Sequence, residues 1–545
     1  MSRRPLELTP SRTTGPTTVR GTAPGQPEGT RTTSPKTTPH TLAFRQNDVV
    51  KTTSTLLLGL GLLTACGPSV PAPAPTDSQP VTRDTIPAVP RVVSSSFNCT
   101  ATAKPISGDL PGNPRDTANV VARFQPQAAT NTVWDLLYAT KYLLNTYYFG
   151  YSSADLESLH QAAYQNFKKT FPNALSTYTI TPKVDSPMKE YVAPIQTQDE
   201  HTYYMNAQEV AYYKSVSNNT SLPAPVFGLS FAPVPGGNGL VITDVRGDGP
   251  AFAAGLRRGD VLLSIDGQAL TRTVQATGSD DSGQAKVYSN ILGAAAARQT
   301  PVSVTFRRGS DQHTLNLTGT VLGAARLPWS EVVRDSHAQP YLYLRLPTFE
   351  ANGTGQKVHD LIAQASAQNV RGVIVDLRNN GGGLLTEYVS AAAAFVPTLA
   401  GETVKFVDGS SASFQYSSGA VMRESSCRTP TAALEVDSPA VWNGKVAVLI
   451  NGGSASGSEM FSANLRQGGK ARLIGEETYG VGNTSTFLFS VPGDLGLSVT
   501  AGRVFLNGRQ ASQTVVPDTS VKDDLTVLST GVDTALQTAL AELGQ

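Results

Sequence analysis

Lys445-Val-Ala-Val-Leu-Ile-Asn-Gly-Gly-Ser-Ala-Ser-Gly-Ser-Glu459 reads as a strand, a tight turn and the start of a helix. Lys445 to Ile450 is a short apolar, β-branched run, preceded by the loop residues Trp442-Asn-Gly444, which is the pattern of a buried strand. From Glu459 to Gln467 apolar positions recur at helical spacing, and Gly468-Gly469 supply a stop. Ser456 therefore falls at a helix N-terminus, where unpaired N–H groups and the positive dipole end favour an alkoxide or an oxyanion. The same segment also fits Ser454, Ser456 and Ser458 as ordinary helix caps.

Upstream, Gly372-Val-Ile-Val-Asp-Leu-Arg378 repeats the buried-strand pattern and runs into Asn379-Asn-Gly-Gly-Gly-Leu-Leu385, ahead of a helical stretch from Thr386 to Phe395. A plain strand-to-helix turn needs one glycine, and this one has three. Glycines allow positive φ and close backbone approach, so N–H groups in such a loop can converge on a bound oxygen.

Asp376-Leu-Arg-Asn-Asn-Gly-Gly-Gly-Leu-Leu-Thr-Glu387 taken with Ser454-Ala-Ser-Gly-Ser-Glu459 resembles the carboxyl-terminal processing, or tail-specific, serine peptidases. The resemblance extends to Tyr341-Leu-Tyr-Leu-Arg-Leu-Pro-Thr-Phe349, to Leu473-Ile-Gly-Glu-Glu-Thr-Tyr-Gly480 and to Val515-Val-Pro-Asp518, and covers roughly residues 133 to 540. It implies a multidomain α/β chain. Residues 326–545 form a protease core of helices around a mixed sheet, of the ClpP/crotonase kind. Ser456 is then the nucleophile, and backbone N–H groups of Gly382 or Gly383 with that of Gly457 form the oxyanion site.

A second module, residues 221–325, precedes that core. Phe227-Gly-Leu-Ser-Phe231, Gly239-Leu-Val-Ile-Thr-Asp-Val245 and Gly249-Pro-Ala-Phe-Ala-Ala-Gly-Leu-Arg-Arg-Gly-Asp-Val-Leu-Leu-Ser-Ile-Asp-Gly267 resemble a PDZ domain of the kind found in bacterial proteases. The resemblance makes Phe227, Gly228, Leu229, Ser230 and Phe231 the loop that captures a peptide carboxylate while the peptide adds as a strand. A helix from Val287 to Arg298 would flank that groove.

Residues 131–220 are helical in pattern, with Trp134, Leu137, Tyr138, Lys141, Leu144 and Tyr148 on one stripe and Leu156 to Phe167 repeating the spacing. They resemble the family's N-terminal helical domain. Asp199-Glu-His-Thr-Tyr-Tyr-Met205 at its end resembles the family's Asp-x-His-Thr motif. In the processing peptidases a lysine in the Gly-x-Gly turn after the next strand activates the serine, and here that turn is Tyr479-Gly-Val-Gly482, with Val481 in the lysine's place. Ser485 stands where the family has a glutamine, and Lys470 lies beyond the nucleophile helix. Two readings follow. In tricorn-like members the base is a histidine in the segment aligned with Asp199 to Tyr204, which makes His201 the base for Ser456, oriented by Asp199 or Glu200. The other reading is an inactive pseudopeptidase that keeps peptide binding as a scaffold or adaptor.

At 545 residues the chain exceeds what one core usually supports. Beyond Cys66 it carries 35 basic and 39 acidic residues, a balance that gives no reason to expect nucleic acid as a partner. Thr55 to Leu63 is apolar but too short to span a bilayer, so residues 50–66 read as a signal peptide, and Leu63-Thr-Ala-Cys66 matches a lipoprotein cleavage box. Cys66 is then the lipid-modified first residue of an exported protein held at a bacterial membrane, on its extracytoplasmic side. Lys51, the positive residue expected near a chain start, comes late, so translation is expected to begin at Val49 or Val50, and residues 1–49 are expected to be untranslated or disordered. Residues 67–130 form a tether and extension, rich in Pro, Ala and Ser at first. Cys99 and Cys427 are candidates for a disulfide. His160, His40, His313, His337 and His359 read as surface residues, and none has metal-ligand spacing. No metal or organic cofactor is implied.

Overall fold

A computed structural model of the chain describes residues 131–545, except 151–152, 198, 274–280, 407–408 and 426–427, together with the two-residue strand Val121–Ala122. The expectations for residues 1–49, the signal peptide, Cys66, most of the tether and the pair Cys99 and Cys427 fall outside the described residues.

The core sheet is mixed, as expected. Trp329–Arg334 runs antiparallel to Pro340–Arg345, and Gly372–Asp376, Lys445–Ile450, Ala471–Gly475 and Thr519–Ser520 follow in parallel. Its central strands are apolar on both faces because both faces are covered. Val373, Val375, Val446 and Val448 pack against helices Thr354–Ala367, Leu385–Ala393 and Gly457–Gln467. Ile374, Ala447 and Leu449, one residue out of phase, pack against the C-terminal helix Thr534–Gly544. Each of these buried valine, leucine and isoleucine side chains contributes about 1.5–3 kcal/mol.

A second, nine-stranded sheet contains Thr484–Val491, Leu495–Leu506, Gly401–Phe406 and Ser411–Ser417 in hydrogen-bonded order. The N-terminal helices Val133–Tyr147, Ser153–Thr170 and Asp185–Gln196 pack on it. Leu136, Leu143, Phe167 and Ile195 share one apolar cluster with Phe489, Leu497 and Val499. The first helix buries Leu137, Leu144 and Tyr148 of the expected stripe together with Val133, Leu136, Thr140, Leu143 and Tyr147, while Trp134 is 47% and Tyr138 36% exposed. The packed face is centred on the leucines, and of the expected stripe's rings only Trp134 and Tyr138 lie beside it.

The PDZ sheet runs Leu229–Pro233, Leu240–Val245, Val261–Ile265, Val302–Arg308, Asp311–Leu317, and the helix Ser282–Ala297 starts five residues before its expected position. Leu229–Pro233 is an edge strand, with one side open for strand addition. The domain is seated on the chain's C-terminal segment. Leu528 joins Ala232, Val241 and Val261 in one cluster, and Arg258 reaches Asp523 and, at 3.0 Å, Asp533.

Candidate active site

Strands Gly372–Asp376 and Lys445–Ile450 are paired in parallel, with Val375 opposite Val448 and Asp376 opposite Leu449. Their following loops therefore leave the same end of the sheet side by side, the place where open α/β sheets build sites. Side chains stitch the loops together. Asn379 N–H donates to Asn451 Oδ1 at 2.9 Å, Ser454 Oγ to the Leu377 carbonyl at 2.9 Å, and Ser458 Oγ to the Asn380 carbonyl at 2.8 Å.

Ser456 differs from its two neighbouring serines. It adopts φ 52° and ψ −114°, a region an L-residue enters at a cost of about 1–3 kcal/mol, and neither Ser454 nor Ser458 has positive φ. That conformation throws its side chain off a sharp strand-to-helix turn, the geometry of a nucleophile elbow.

The glycine loop supplies the other half of the site. Gly382 (φ 97°) and Gly383 (φ 142°) lie against the nucleophile turn and the Phe349–Glu350 backbone. A Cβ on Gly382 would sit 2.7 Å from Gly457 N, and one on Gly383 would sit 2.2 Å from the Phe349 carbonyl carbon. Gly382 N–H is already donated to Asn380 Oδ1 at 2.9 Å. Among the described residues the N–H groups of Gly383 and Gly457 have no protein acceptor, and Gly383 N is 3.5 Å from where a Gly457 Cβ would stand. Of the two loop glycines expected to donate, only Gly383 has a free N–H.

Glu459 ties the Ser456 turn to its surroundings, a role that only its place three residues after Ser456, the capping-box signal, marks in the chain. Its Oε2 accepts Ser456 N–H at 2.7 Å and Val481 N–H at 3.1 Å, and its Oε1 accepts the Thr478 hydroxyl at 2.6 Å and Gly480 N–H at 2.9 Å. Burial raises its pKa, and these four donors oppose the rise. Val481 thus occupies the turn beside Ser456, whereas the 11-residue helix Gly457–Gln467 separates Lys470 from Ser456 by roughly 16 Å.

His201 sits in a loop clasped to the second sheet. Ser498 Oγ donates to the His201 carbonyl at 2.7 Å, Thr500 N–H donates to Thr202 Oγ1 at 2.9 Å, and His201 N–H donates to Asp199 Oδ1 at 3.1 Å. The Tyr479 hydroxyl bonds Glu200, and Tyr479 N–H donates to the Ser454 carbonyl at 3.0 Å, so this loop reaches the nucleophile turn. His201 Nδ1 is buried without a hydrogen bond, and no hydrogen bond joins the ring to Ser456 Oγ. Burial lowers the imidazole pKa against the opposing pull of Asp199, which favours the neutral, proton-accepting form.

A cleft of about 790 Å³, counted to its open mouth, lies beside Ser456 and Gly457. Glu402 lines it, buried and bonded to the Tyr388 hydroxyl, and burial pushes its carboxyl up to about 7. Nearby in sequence to the glycine loop's contacts, Glu350 is also buried, and burial pushes it up to about 8. Below the loops, Asp376 is held under the usual carboxylate range despite its burial, because Arg378 and Arg345 face it. Arg378 reaches Asp376 at 2.6 Å and Asp533 at 2.8 Å, and Arg345 reaches Asp244 of the PDZ sheet at 2.9 Å.

Two histidines expected at the surface are inside. His160 packs its ring against Tyr191 and bonds Asn145 Oδ1 at 3.1 Å, and His359 lies between the Ala440 and Ser390 carbonyls at 2.9 and 3.0 Å. Each is accommodated because the fold supplies partners for both ring nitrogens. No group of metal-ligating side chains occurs among the described residues.

Residues 340–521 match peptidase family S41, and residues 225–318 match the PDZ domain. The chain carries an S41 peptidase domain preceded by a PDZ domain. A chloroplastic C-terminal processing peptidase from Tetradesmus obliquus is 30% identical over 277 residues, 49% of this chain and 53% of that protein. A probable CtpA-like serine protease from Staphylococcus epidermidis is 24% identical over 325 residues, 59% of this chain and 56% of that one. The chain thus spans little more than half the length of these curated relatives. The photosystem II D1 C-terminal processing protease aligns in structure over 75% of this chain and 97% of its own, with 21% identity and a TM-score of 0.38.

Proposed function

We propose that this S41 protein is an exported serine endopeptidase, lipid-anchored through Cys66 on the extracytoplasmic side of a bacterial membrane. In this reading the PDZ segment Phe227–Phe231 captures polypeptide C-termini and Ser456 cleaves. The observation that carries it is the strained backbone of Ser456 at a helix N-terminus, beside two N–H groups that have no protein acceptor. Strain of this kind persists where the surrounding structure over-determines it, most often at working sites.

The steps follow from those groups. Neutral His201 accepts the Ser456 Oγ proton as the oxygen adds to the scissile carbonyl, and the N–H groups of Gly383 and Gly457 hold the oxyanion. Gly382 shapes the loop and donates nothing to substrate. Collapse of the tetrahedral species breaks the C–N bond, and the amine leaves with the proton from His201. Water, deprotonated by the same imidazole, then hydrolyses the ester and restores Ser456. Catalytic hydrogen bonds often tighten only once substrate is seated, so His201 turns toward Ser456 in the first step.

A second reading has its own observation. The turn beside Ser456 presents Val481, and no basic side chain is bonded to Ser456 Oγ among the described residues. A pseudopeptidase would keep the PDZ edge strand and the cleft and lose turnover, acting as a peptide-binding scaffold. Purified protein without residues 1–66 distinguishes the two: the peptidase degrades an unfolded substrate with an apolar C-terminus, and Ser456→Ala and His201→Ala each abolish this. Binding of such peptides with no cleavage identifies the scaffold.

A further inference from the structure

The cleft beside Ser456 is built from rings. Phe406, Phe414 and Phe487 form its walls with Leu385 and Met460, and Phe406 and Phe487 stand with centroids 5.5 Å apart. Glycines at 383, 457 and 482 line the cleft beside Ser456. Strand register then places one acid and one base around the central ring. Glu402 is opposite Phe414 on one side and Arg423 is opposite Phe414 on the other, so the three share one face of the sheet. The Arg423 guanidinium stands 6.0 Å from the Phe414 ring centre.

We propose that this cleft receives the side chain on the acyl side of the scissile bond and selects neutral aromatic residues, phenylalanine and tyrosine, over small and charged ones. The proposal rests on Ser456 being the nucleophile. A phenyl or phenol ring gains offset and edge-on contacts with three aromatic walls, and its burial displaces water from apolar surface. An alanine side chain leaves most of that surface wet. A charged side chain of either sign would leave its hydration behind among these rings, which is costly. The rings therefore reward a neutral flat group. Selectivity of this kind combines a fitted pocket with a desolvation penalty on competitors.

Full-length protein incubated with an unfolded protein mixture, with cleavage sites mapped by mass spectrometry, tests it. Sites after Phe and Tyr should outnumber sites after Ala by about tenfold or more, once corrected for abundance, with sites after Asp, Glu, Lys and Arg rarer still. A majority of sites after Ala or after charged residues overturns the proposal. If no cleavage occurs, the nucleophile reading is what fails, and the cleft is then tested without turnover. Saturation-transfer NMR on the Ser456→Ala protein compares N-acetyl-phenylalaninamide with N-acetyl-alaninamide, whose blocked C-termini offer the PDZ loop no carboxylate. The expected result is a signal from the phenylalanine compound alone, lost in Thr486→Trp, which fills the cleft from its lining strand. Equal signals from both compounds, or a signal that survives Thr486→Trp, refute it.

Discussion

Val481 N–H and Ser456 N–H donate to the same carboxylate oxygen of Glu459, at 3.1 and 2.7 Å, so the two nitrogens lie no more than about 6 Å apart. The residue expected in place of a catalytic lysine is thereby fixed next to Ser456. A lysine side chain spans that distance. Val481→Lys should raise activity of a weak wild-type enzyme, or create it in an inactive one, by about 10²-fold or more. The measurement is kcat/KM on an unfolded substrate, and an unchanged rate means position 481 does not present its side chain to Ser456.

If His201 is the base, its depressed pKa fixes the pH profile. A lowered pKa keeps the imidazole neutral below the usual histidine range, so the acid limb of kcat/KM should fall below pH 6.5, about the ordinary value. In Val481→Lys the limb should move upward, because a lysine must lose its proton to act. His201→Ala should reduce the wild-type rate by roughly 10²- to 10⁴-fold and leave Val481→Lys much less affected.

Glu459→Gln tests the tie itself. Each carboxylate oxygen accepts two donors, so either orientation of the amide turns an NH₂ group against N–H or O–H donors. Stability should drop by on the order of 3 kcal/mol, read by denaturant unfolding, and activity should fall with it as the Ser456 turn relaxes.

Glu350 and Glu402 make stability depend on pH in a stated direction. Their folded pKa values, about 8 and about 7, lie above the usual carboxylate value of 4.5. Between that value and the folded pKa the folded state holds protons the unfolded state has lost, so stability falls as pH rises from about 4.5 to 8 and levels off above. Glu350 accounts for up to about 5 kcal/mol of the fall and Glu402 for up to about 3. Glu350→Gln and Glu402→Gln should flatten their parts of the curve, which unfolding at pH 5 and pH 8 would measure.

Gly383→Ala places a methyl 2.2 Å from the Phe349 carbonyl carbon at a φ of 142° that side chains rarely adopt. The loop must shift, taking its N–H away from the Ser456 turn. Activity should fall by about 10²-fold or more even where circular dichroism reports a folded protein.

Much of the framework was legible in the chain because it is local. Lys445–Ile450 occupies its expected residues, since a β-branched run between turn residues has one good use. The triple glycine and the Ser456 segment announced a strand-to-helix turn each, and the PDZ and S41 regions followed from their motifs. Spacing alone could not say which face of the first helix is buried. Trp134 and Tyr138 carry the periodicity but stand outside, because the sheet residues Phe489, Leu497 and Val499 that cover Leu136 and Leu143 lie far beyond the window in which local pattern carries a signal.

Sequence by itself determined the elements, the family resemblance and the identity of Ser456 as the residue at the turn. Tertiary structure alone decided which groups surround it. Parallel pairing of Gly372–Asp376 with Lys445–Ile450 brought Gly383 N–H beside Gly457 N–H, and Asn380 removed Gly382 from the donors. The chain places Glu459 three residues from Ser456, but its grip on Thr478, Gly480 and Val481 depends on a strand crossing over to sit alongside. Burial, hydrogen-bond partners and pKa are properties of a neighbourhood assembled from distant segments. Residue type fixes what a side chain can do, and packing fixes what it meets.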